Sequence, residues 1–334
     1  MTLQFHSSSS TAPRDGGSEL GGALLGRPVP VSAHDWPIQA ICAPVLGADR
    51  ATVQETWRRA SPCLHGVSEG IAWRRADDIL FGVIDLDEAE FAAVTGRPPL
   101  QAASEDAYRR IFRLLEAQKL PHLWRVWNYM ADINADTHGL ERYRQFNIGR
   151  QDAFIAHQRS ATGNVPAACA LGLAGGPLSI AFLAGQAPAV PFENPRQVSA
   201  YHYPAEYGPR TPLFSRAALV HPPGQEILFV SGTASIVGYQ TVHPGDVAGQ
   251  CREAMANIAA VVAEANRAAR SRPFALDELV YRVYVRHAAD FSVIRDTLAP
   301  QIGGADVLYV QADICRADLL LEIEAMASHT LETD

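Results

Sequence analysis

Two glutamates near the end of the chain carry the first chemical signal. Glu322 and Glu324 stand in the run Leu319-Leu320-Leu321-Glu322-Ile323-Glu324-Ala325. Such a run reads as a strand, and residues two apart on a strand share a face. Burial in an apolar setting disfavours the charged carboxylate, and a second carboxylate beside it raises one of the two pKa values further. Glu322 is therefore the candidate for a carboxylic acid still protonated near neutral pH, the form that acts as a general acid. The alternative reading is a strand-end glutamate that caps a helix or pairs with an arginine.

Other residues qualify by type and setting. Tyr207, in the loop Tyr207-Gly208-Pro209-Arg210, offers a phenol to a ligand or packs on the loop proline. Ser231-Gly232-Thr233 closes a strand, where exposed backbone N–H groups bind carboxylates as nests do. Cys315 is by default a buried core cysteine. Strong cationic contacts must come from arginine, because lysine occurs once, at Lys119. Arginine grips a carboxylate with two parallel hydrogen bonds. The candidates are Arg144, Arg150, Arg210, Arg216, Arg282 and Arg286, with Arg150, Arg210 and Arg216 preferred. A surface ion pair is the ordinary reading for each.

Several other chemistries find no support. The 11 histidines show no H-x-x-H or H-E-x-x-H, and no Cys/His cluster has zinc spacing. Gly172-Leu173-Ala174-Gly175-Gly176 lacks the spacing of a dinucleotide loop. Gly66-Val67-Ser68-Glu69-Gly70 matches G-x-S-x-G, but a nucleophile elbow needs a strand before it and a helix after it. A plain turn is the better reading there. No metal and no cofactor is expected.

The 334 residues are 48% hydrophobic and 19% charged, a globular balance that argues against disorder throughout. A net charge of −8 leaves no electrostatic footprint for nucleic acid or anionic lipid. The five cysteines, Cys42, Cys63, Cys169, Cys251 and Cys315, are odd in number and contain no C-x-x-C, which fits a reducing, cytoplasmic compartment. Residues 1–25 carry no secretory signal, and their Ser, Gly and Pro content reads as a flexible tail. Between Arg159 and Glu193 no residue is charged. Pro166, Pro177, Pro188 and Pro191 would break a spanning helix, so two buried strands joined at Gly175-Gly176-Pro177 are expected and no membrane.

The elements that position these residues occur twice. Trp124-Arg125-Val126-Trp127 in the first half matches Tyr281-Arg282-Val283-Tyr284 in the second, and both read as strands. An amphipathic helix precedes each. One carries Tyr108, Ile111, Phe112 and Leu115 behind Ser104 as N-cap, the other Val247 to Ala265 behind Asp246. A second helix follows each, near 138–157 and 290–299. Paired apolar strands come next, near 165–173 and 178–184, and near 306–314 and 318–328. Earlier strands at Ile79–Asp85 and Ile227–Gly232 complete the match. Each half reads as β-β-α-β-α-β-β, an α+β duplication with a site between the copies.

The second half, with Phe229-Val230-Ser231-Gly232 and the terminal Leu321-Glu322-Ile323-Glu324-Ala325, resembles the RidA/YjgF superfamily, whose members are usually trimers. The whole chain beyond the tail resembles one branch, the chorismatases. The segments that carry this are Glu141-Arg142-Tyr143-Arg144-Gln145-Phe146-Asn147-Ile148-Gly149-Arg150, Ser199 to Arg210, Ser231-Gly232-Thr233-Ala234-Ser235, and Cys315 ahead of Glu322. The resemblance implies two RidA-like (chorismate mutase-like) domains, at 26–195 and 196–334, with the active site in the second. It implies chorismate as the small-molecule substrate and a hydroxybenzoate plus pyruvate as products. Glu322 would protonate the enol methylene carbon. A cysteine at position 315 implies 3-hydroxybenzoate as product. Ala234 lies where the product branches vary and leaves 4-hydroxybenzoate open. Arg150, Arg210, Arg216, Gly232, Thr233 and Ala234 would bind substrate beside Tyr207.

Internal duplication favours a monomer, with a trimer as the alternative. Three other functions stay open on the residues alone. One is a hydrolase releasing a dihydroxycyclohexadiene carboxylate. Another is an imine deaminase, against which the arginine-free stretch Val307-Leu308-Tyr309-Val310 counts. The third is a non-catalytic ligand-binding protein.

Overall fold

A computed structural model describes residues 2–8, 17–26, 35–47, 52–93 and 96–331. Four N-terminal strands, β1 (Leu3–Ser8), β2 (Glu19–Gly26), β3 (Ile38–Ile41) and β4 (Thr52–Arg59), form one sheet in the order β1-β4-β2-β3. This corrects the reading of residues 1–25 as a flexible tail, in so far as they are described. β1 pairs with β4 along its length, and every residue of β2 is buried. The glycines that suggested mobility serve close packing instead. A Cβ on Gly21 would stand 2.1 Å from the Phe81 ring, and one on Gly22 would stand 1.9 Å from the Glu55 carbonyl oxygen.

The first half continues with β5 (Leu64–Ser68), β6 (Ile71–Ala76), β7 (Ile79–Leu86), α1 (Pro99–Gln118), β8 (His122–Ala131), α2 (Arg142–Ala156), β9 (Ala167–Leu173) and β10 (Leu178–Gly185). The second half holds β11 (Ala217–Val220), β12 (Gln225–Thr233), α3 (Val247–Asn266), β13 (Val280–Val285), α4 (Phe291–Ile302), β14 (Val307–Gln311) and β15 (Leu321–Thr330). The first sheet runs β9-β8-β10-β7-β6-β5, and the second runs β14-β13-β15-β12-β11 with the short strands Val45–Leu46 beyond β14 and Val190–Phe192 beyond β11. The strands β9-β8-β10-β7-β6 and β14-β13-β15-β12-β11 follow one topology. The strand after the first helix pairs in parallel with the next strand and antiparallel with the last. The duplication expected from the repeated strand motif is thus present in the α+β architecture. No helix among the described residues is long and apolar enough to cross a membrane.

The layers follow from alternation along the strands. Val126, Ile180 and Phe182 face α1 and α2, where Ile111, Phe112 and Leu115 complete that core. Val283, Leu321 and Ile323 face α3 and α4, against Met255, Ile258 and Ile294. The opposite faces of the two sheets meet in a third core that contains Phe81, Trp127, Tyr129, Cys169, Phe229 and Tyr284. Two bridges tie the halves together, Ala167 with Ser215 and Gly172 with Asp313. The Ala168 N–H also donates to Ser231 Oγ at 2.9 Å.

Asp246 caps α3 as expected, accepting from the Gly249 N–H at 2.9 Å. Ser104 is not an N-cap. α1 starts earlier, with Pro99 in its first turn, and the Ser104 hydroxyl bonds back to the Leu100 carbonyl at 2.6 Å. Ser68 ends β5 at a hairpin through Glu69 and Gly70, both at positive φ, and β6 follows instead of a helix. Its hydroxyl accepts from Trp73 Nε1 at 3.0 Å, so it is a turn residue.

Candidate active site

A cavity of about 610 Å³ lies where the two halves meet. That volume suits a small ligand. α2 supplies Tyr143, Arg144 and Arg150, and β9 supplies Ala168, Cys169 and Ala170. The segment between the halves supplies Tyr203, Tyr207, Phe214 and Arg216. The second half adds Gly232, Ala234, Cys315, Arg316 and Glu322. The second half therefore does not form this cavity alone.

Glu322 reaches the cavity because of the strand pleat. Ile323 points to the helices, while Glu322 and Glu324 point to the inter-sheet layer. Glu322 is 4% exposed. Burial pushes its carboxyl up to about 8, and the charge of Glu324 adds to the rise against the pull of Arg125 and Arg216. Glu324 goes the other way. Burial would raise it, but Arg125 and Arg282 hold it below the ordinary carboxylate range, aided by Cys169 and Trp127. Two carboxyls on one strand face thus hold opposite protonation states near neutral pH.

The wall opposite Glu322 is shaped to admit its carboxyl. The β12–β15 register shifts between Val230 and Thr233. A Cβ on Gly232 would stand 1.9 Å from Glu322 Oε1 and 3.2 Å from Cys169 Cβ. Gly232 is required by this close approach, with no need of a carboxylate nest to explain it. Ala234 also faces the cavity. Thr233 does not lie on its wall; its hydroxyl donates to the Ser231 carbonyl at 2.8 Å.

Among the described residues, four arginines reach the cavity: Arg144, Arg150, Arg216 and Arg316. Arg150 is 2% exposed, donates to Asn147 Oδ1 at 2.8 Å and lies 4.9 Å from the Phe146 ring centroid. Arg216 donates to the Val198 carbonyl at 2.8 Å and the Tyr203 hydroxyl at 2.9 Å. Buried N–H groups on three of them remain unpaired within the chain: Nε of Arg150, Nε of Arg216 and Nη2 of Arg316. Unpaired buried donors are costly and call for an acceptor. Arg210 is a correction. It lies outside the cavity wall, half exposed, 3.5 Å from Asp152, because its loop turns it to the surface of α2.

Tyr207 lies on the cavity wall with the Arg316 guanidinium 4.1 Å from its ring centroid. Cys315 also lies on the wall, and burial, then the Glu322 charge, pushes its thiol up to about 12. It is therefore a neutral thiol, not a thiolate nucleophile. Arg286 holds the loop that carries it, with bonds to the carbonyls of Leu319, Ile314 and Arg316 and to Asp313.

Sequence reasoning passed over Arg316, Tyr203 and Tyr143 on the cavity wall, and Arg125 behind it. Arg125 carried a usable signal, a charge between the large apolar residues of Trp124-Arg125-Val126-Trp127, repeated as Arg282. Arg316 stands next to Cys315 and offered only that adjacency.

Comparison with known proteins is decisive about family. The chain is 40% identical to a chorismatase of Streptomyces rapamycinicus over 282 residues, covering 82% of each chain. The chain belongs to the chorismatase family. The family model described as "Chorismatase FkbO/Hyg5-like, N-terminal" matches residues 55–184. A relative named 3-hydroxybenzoate synthase, from Streptomyces hygroscopicus, is 38% identical, covering 81% of this chain and 80% of its own. A chorismatase crystal structure superposes with a TM-score of 0.87 at 35% identity over 98% of both chains. Within the chorismatase fold, Glu322, Cys315 and Gly232 of this chain line one cavity.

Proposed function

We propose that this chorismatase-family enzyme converts chorismate to 3-hydroxybenzoate and pyruvate, with Glu322 as the acid. The observation that carries this reading is a buried glutamate, pushed up to about 8, facing a cavity lined by arginines. Chorismate carries two carboxylates and an enolpyruvyl ether. The unpaired N–H groups of Arg150, Arg216 and Arg316 are the donors we assign to those carboxylates. Protonated Glu322 gives its proton to the methylene carbon of the enolpyruvyl group. The oxygen of the neighbouring ring hydroxyl, losing its proton, bonds to the ether-bearing ring carbon as that carbon's bond to the ether oxygen breaks and pyruvate leaves. The resulting epoxide opens with its oxygen kept on the former ether carbon, which gives up its hydrogen as a proton while the oxygen regains one as the phenol.

Hydroxybenzoate and pyruvate together contain all the atoms of chorismate. The route needs no water, oxidant or second substrate. The proton that Glu322 gives is matched by the one the ring loses as it becomes aromatic, which returns the acid to its starting state. The hydrolytic route to a dihydroxycyclohexadiene acid needs water instead. A neutral Cys315 thiol beside Glu322 fits the anhydrous branch, since it takes space there and supplies no strong base. Tyr207 is proposed to bind substrate with its phenol. All these groups come from one polypeptide, so we propose that a monomer suffices, working in the cytoplasm.

The test is incubation of purified protein with chorismate, with products resolved by chromatography and pyruvate counted. Equal amounts of pyruvate and 3-hydroxybenzoate support the reading, and no turnover overturns it. Cys315→Ala is expected to shift product towards the dihydroxycyclohexadiene acid. An unchanged product would remove the steering role from Cys315.

A further inference from the structure

Glu324 is a buried anion that the proposed reaction does not touch. It lies behind Glu322 at a small void lined by Glu55, Trp57, Arg125, Trp127 and Arg282, outside the reaction cavity. Its carboxylate accepts from Arg125, from Trp127 Nε1 at 3.2 Å and from the Cys169 thiol, and Arg282 Nη1 stands 2.9 Å away. The other terminal nitrogen of Arg282 donates to Glu55, which β4 of the N-terminal sheet brings in. Three parts of the fold therefore meet in a row of two guanidiniums and two carboxylates, each member less than 9% exposed. The row is balanced without Glu322. An ionised Glu322 would add a third anion to two cations in a low-dielectric layer.

We propose that Glu55, Arg282, Glu324 and Arg125 form a charge-balanced chain that keeps the Glu322 carboxyl protonated, which makes Glu55 and Glu324 positioning residues for the proton transfer. The proposal rests on the reading of Glu322 as the acid. The other groups facing Glu322 are Arg216 on the cavity side and three neutral ones, Cys169, Cys315 and Tyr143, each held protonated by burial. Tyr129 and Tyr284 face the Arg282 end, bonded to each other at 2.6 Å and each 3.1 Å from Arg282, and they too are held neutral by burial.

Removing an anion leaves a buried cation looking for a partner, and Glu322 is the next carboxyl. Removing a cation does the opposite. The experiment is the pH profile of pyruvate release for wild type, Glu322→Gln, Glu324→Gln, Glu55→Gln and Arg125→Gln. In the wild type the rate falls as pH rises through the pKa of Glu322. Glu324→Gln is expected to move that fall about one to three pH units lower. Glu55→Gln moves it lower by less, and Arg125→Gln moves it higher. The KM for chorismate changes little in the Glu324, Glu55 and Arg125 variants, since none of those three side chains lines the cavity.

Where Glu324→Gln fails to fold because its arginines are left unpaired, the double variant Arg125→Gln/Glu324→Gln removes one charge of each sign. It is expected to bring the profile back towards wild type. Shifts of opposite sign support the proposal, because a loosened fold moves all variants one way. A fall that Glu322→Gln abolishes but that Glu324→Gln and Glu55→Gln leave in place overturns this proposal alone. Turnover with an unchanged profile in Glu322→Gln overturns the assignment of the acid as well.

Discussion

The two halves share a topology but differ at the strand that bears the acid. In the second half Tyr284 of β13 stands opposite Glu322, and Arg282 stands opposite Glu324. At the same register in the first half, Trp127 of β8 stands opposite Ala181, and Arg125 stands opposite Leu183. The repeated arginine survives in both copies while the carboxylates exist in one. Both arginines consequently converge on Glu324. The neighbouring pairing differs as well. β7 and β10 run in unbroken register, whereas β12 and β15 slip at Gly232, where the Glu322 carboxyl fits. Bulges of this kind re-aim side chains beside active sites. The connection before the last strand is a tight Gly175-Gly176-Pro177 turn in the first half. In the second it is a longer loop that carries Cys315 and Arg316. Duplication thus yields one copy that supplies the acid and another that supplies cations from α2 and β8.

This division of labour can be broken in three places. Glu322→Gln removes the only acid of the pair with nothing on β10 to replace it. Pyruvate release should fall by about 10²- to 10⁴-fold with the fold intact by circular dichroism. Ala181→Glu writes the acid into the copy that lacks it. Ala181 is 1% exposed and faces Trp127, so the new carboxyl finds no prepared partner. Denaturant unfolding should show a loss of about 3 kcal/mol or more, with no gain of activity. Gly232→Ala restores a side chain at the slip. Its methyl must displace the Glu322 carboxyl, and kcat should drop by about tenfold to a hundredfold, with a smaller change in stability.

The parts of this account legible in the sequence are those set by local pattern. The repeated strand motif, the apolar run around Glu322 and the stripe Tyr108, Ile111, Phe112, Leu115 all correspond to observed elements, and all four stripe residues are buried. The N-terminal sheet was not legible. Gly21 and Gly22 read as flexibility, but their value lies in contacts with Phe81 and Glu55, far away in sequence. Arg210 and Arg316 show the same limit. Both are arginines in loops beside a candidate residue, and only the path of each loop decides that one faces solvent and the other Tyr207. The row Glu55–Arg282–Glu324–Arg125 draws on three sheets, so no single segment displays it.

The most direct test of the central claim is the pH dependence of kcat for chorismate in the wild-type enzyme. A group that donates a proton must be protonated to work, and Glu322 is pushed up to about 8. The account predicts a rate that is level through neutral pH and falls about tenfold per pH unit above that pKa. A rate that instead rises with pH through this range would mean that ionised Glu322 is the working form, and would contradict its assignment as the acid.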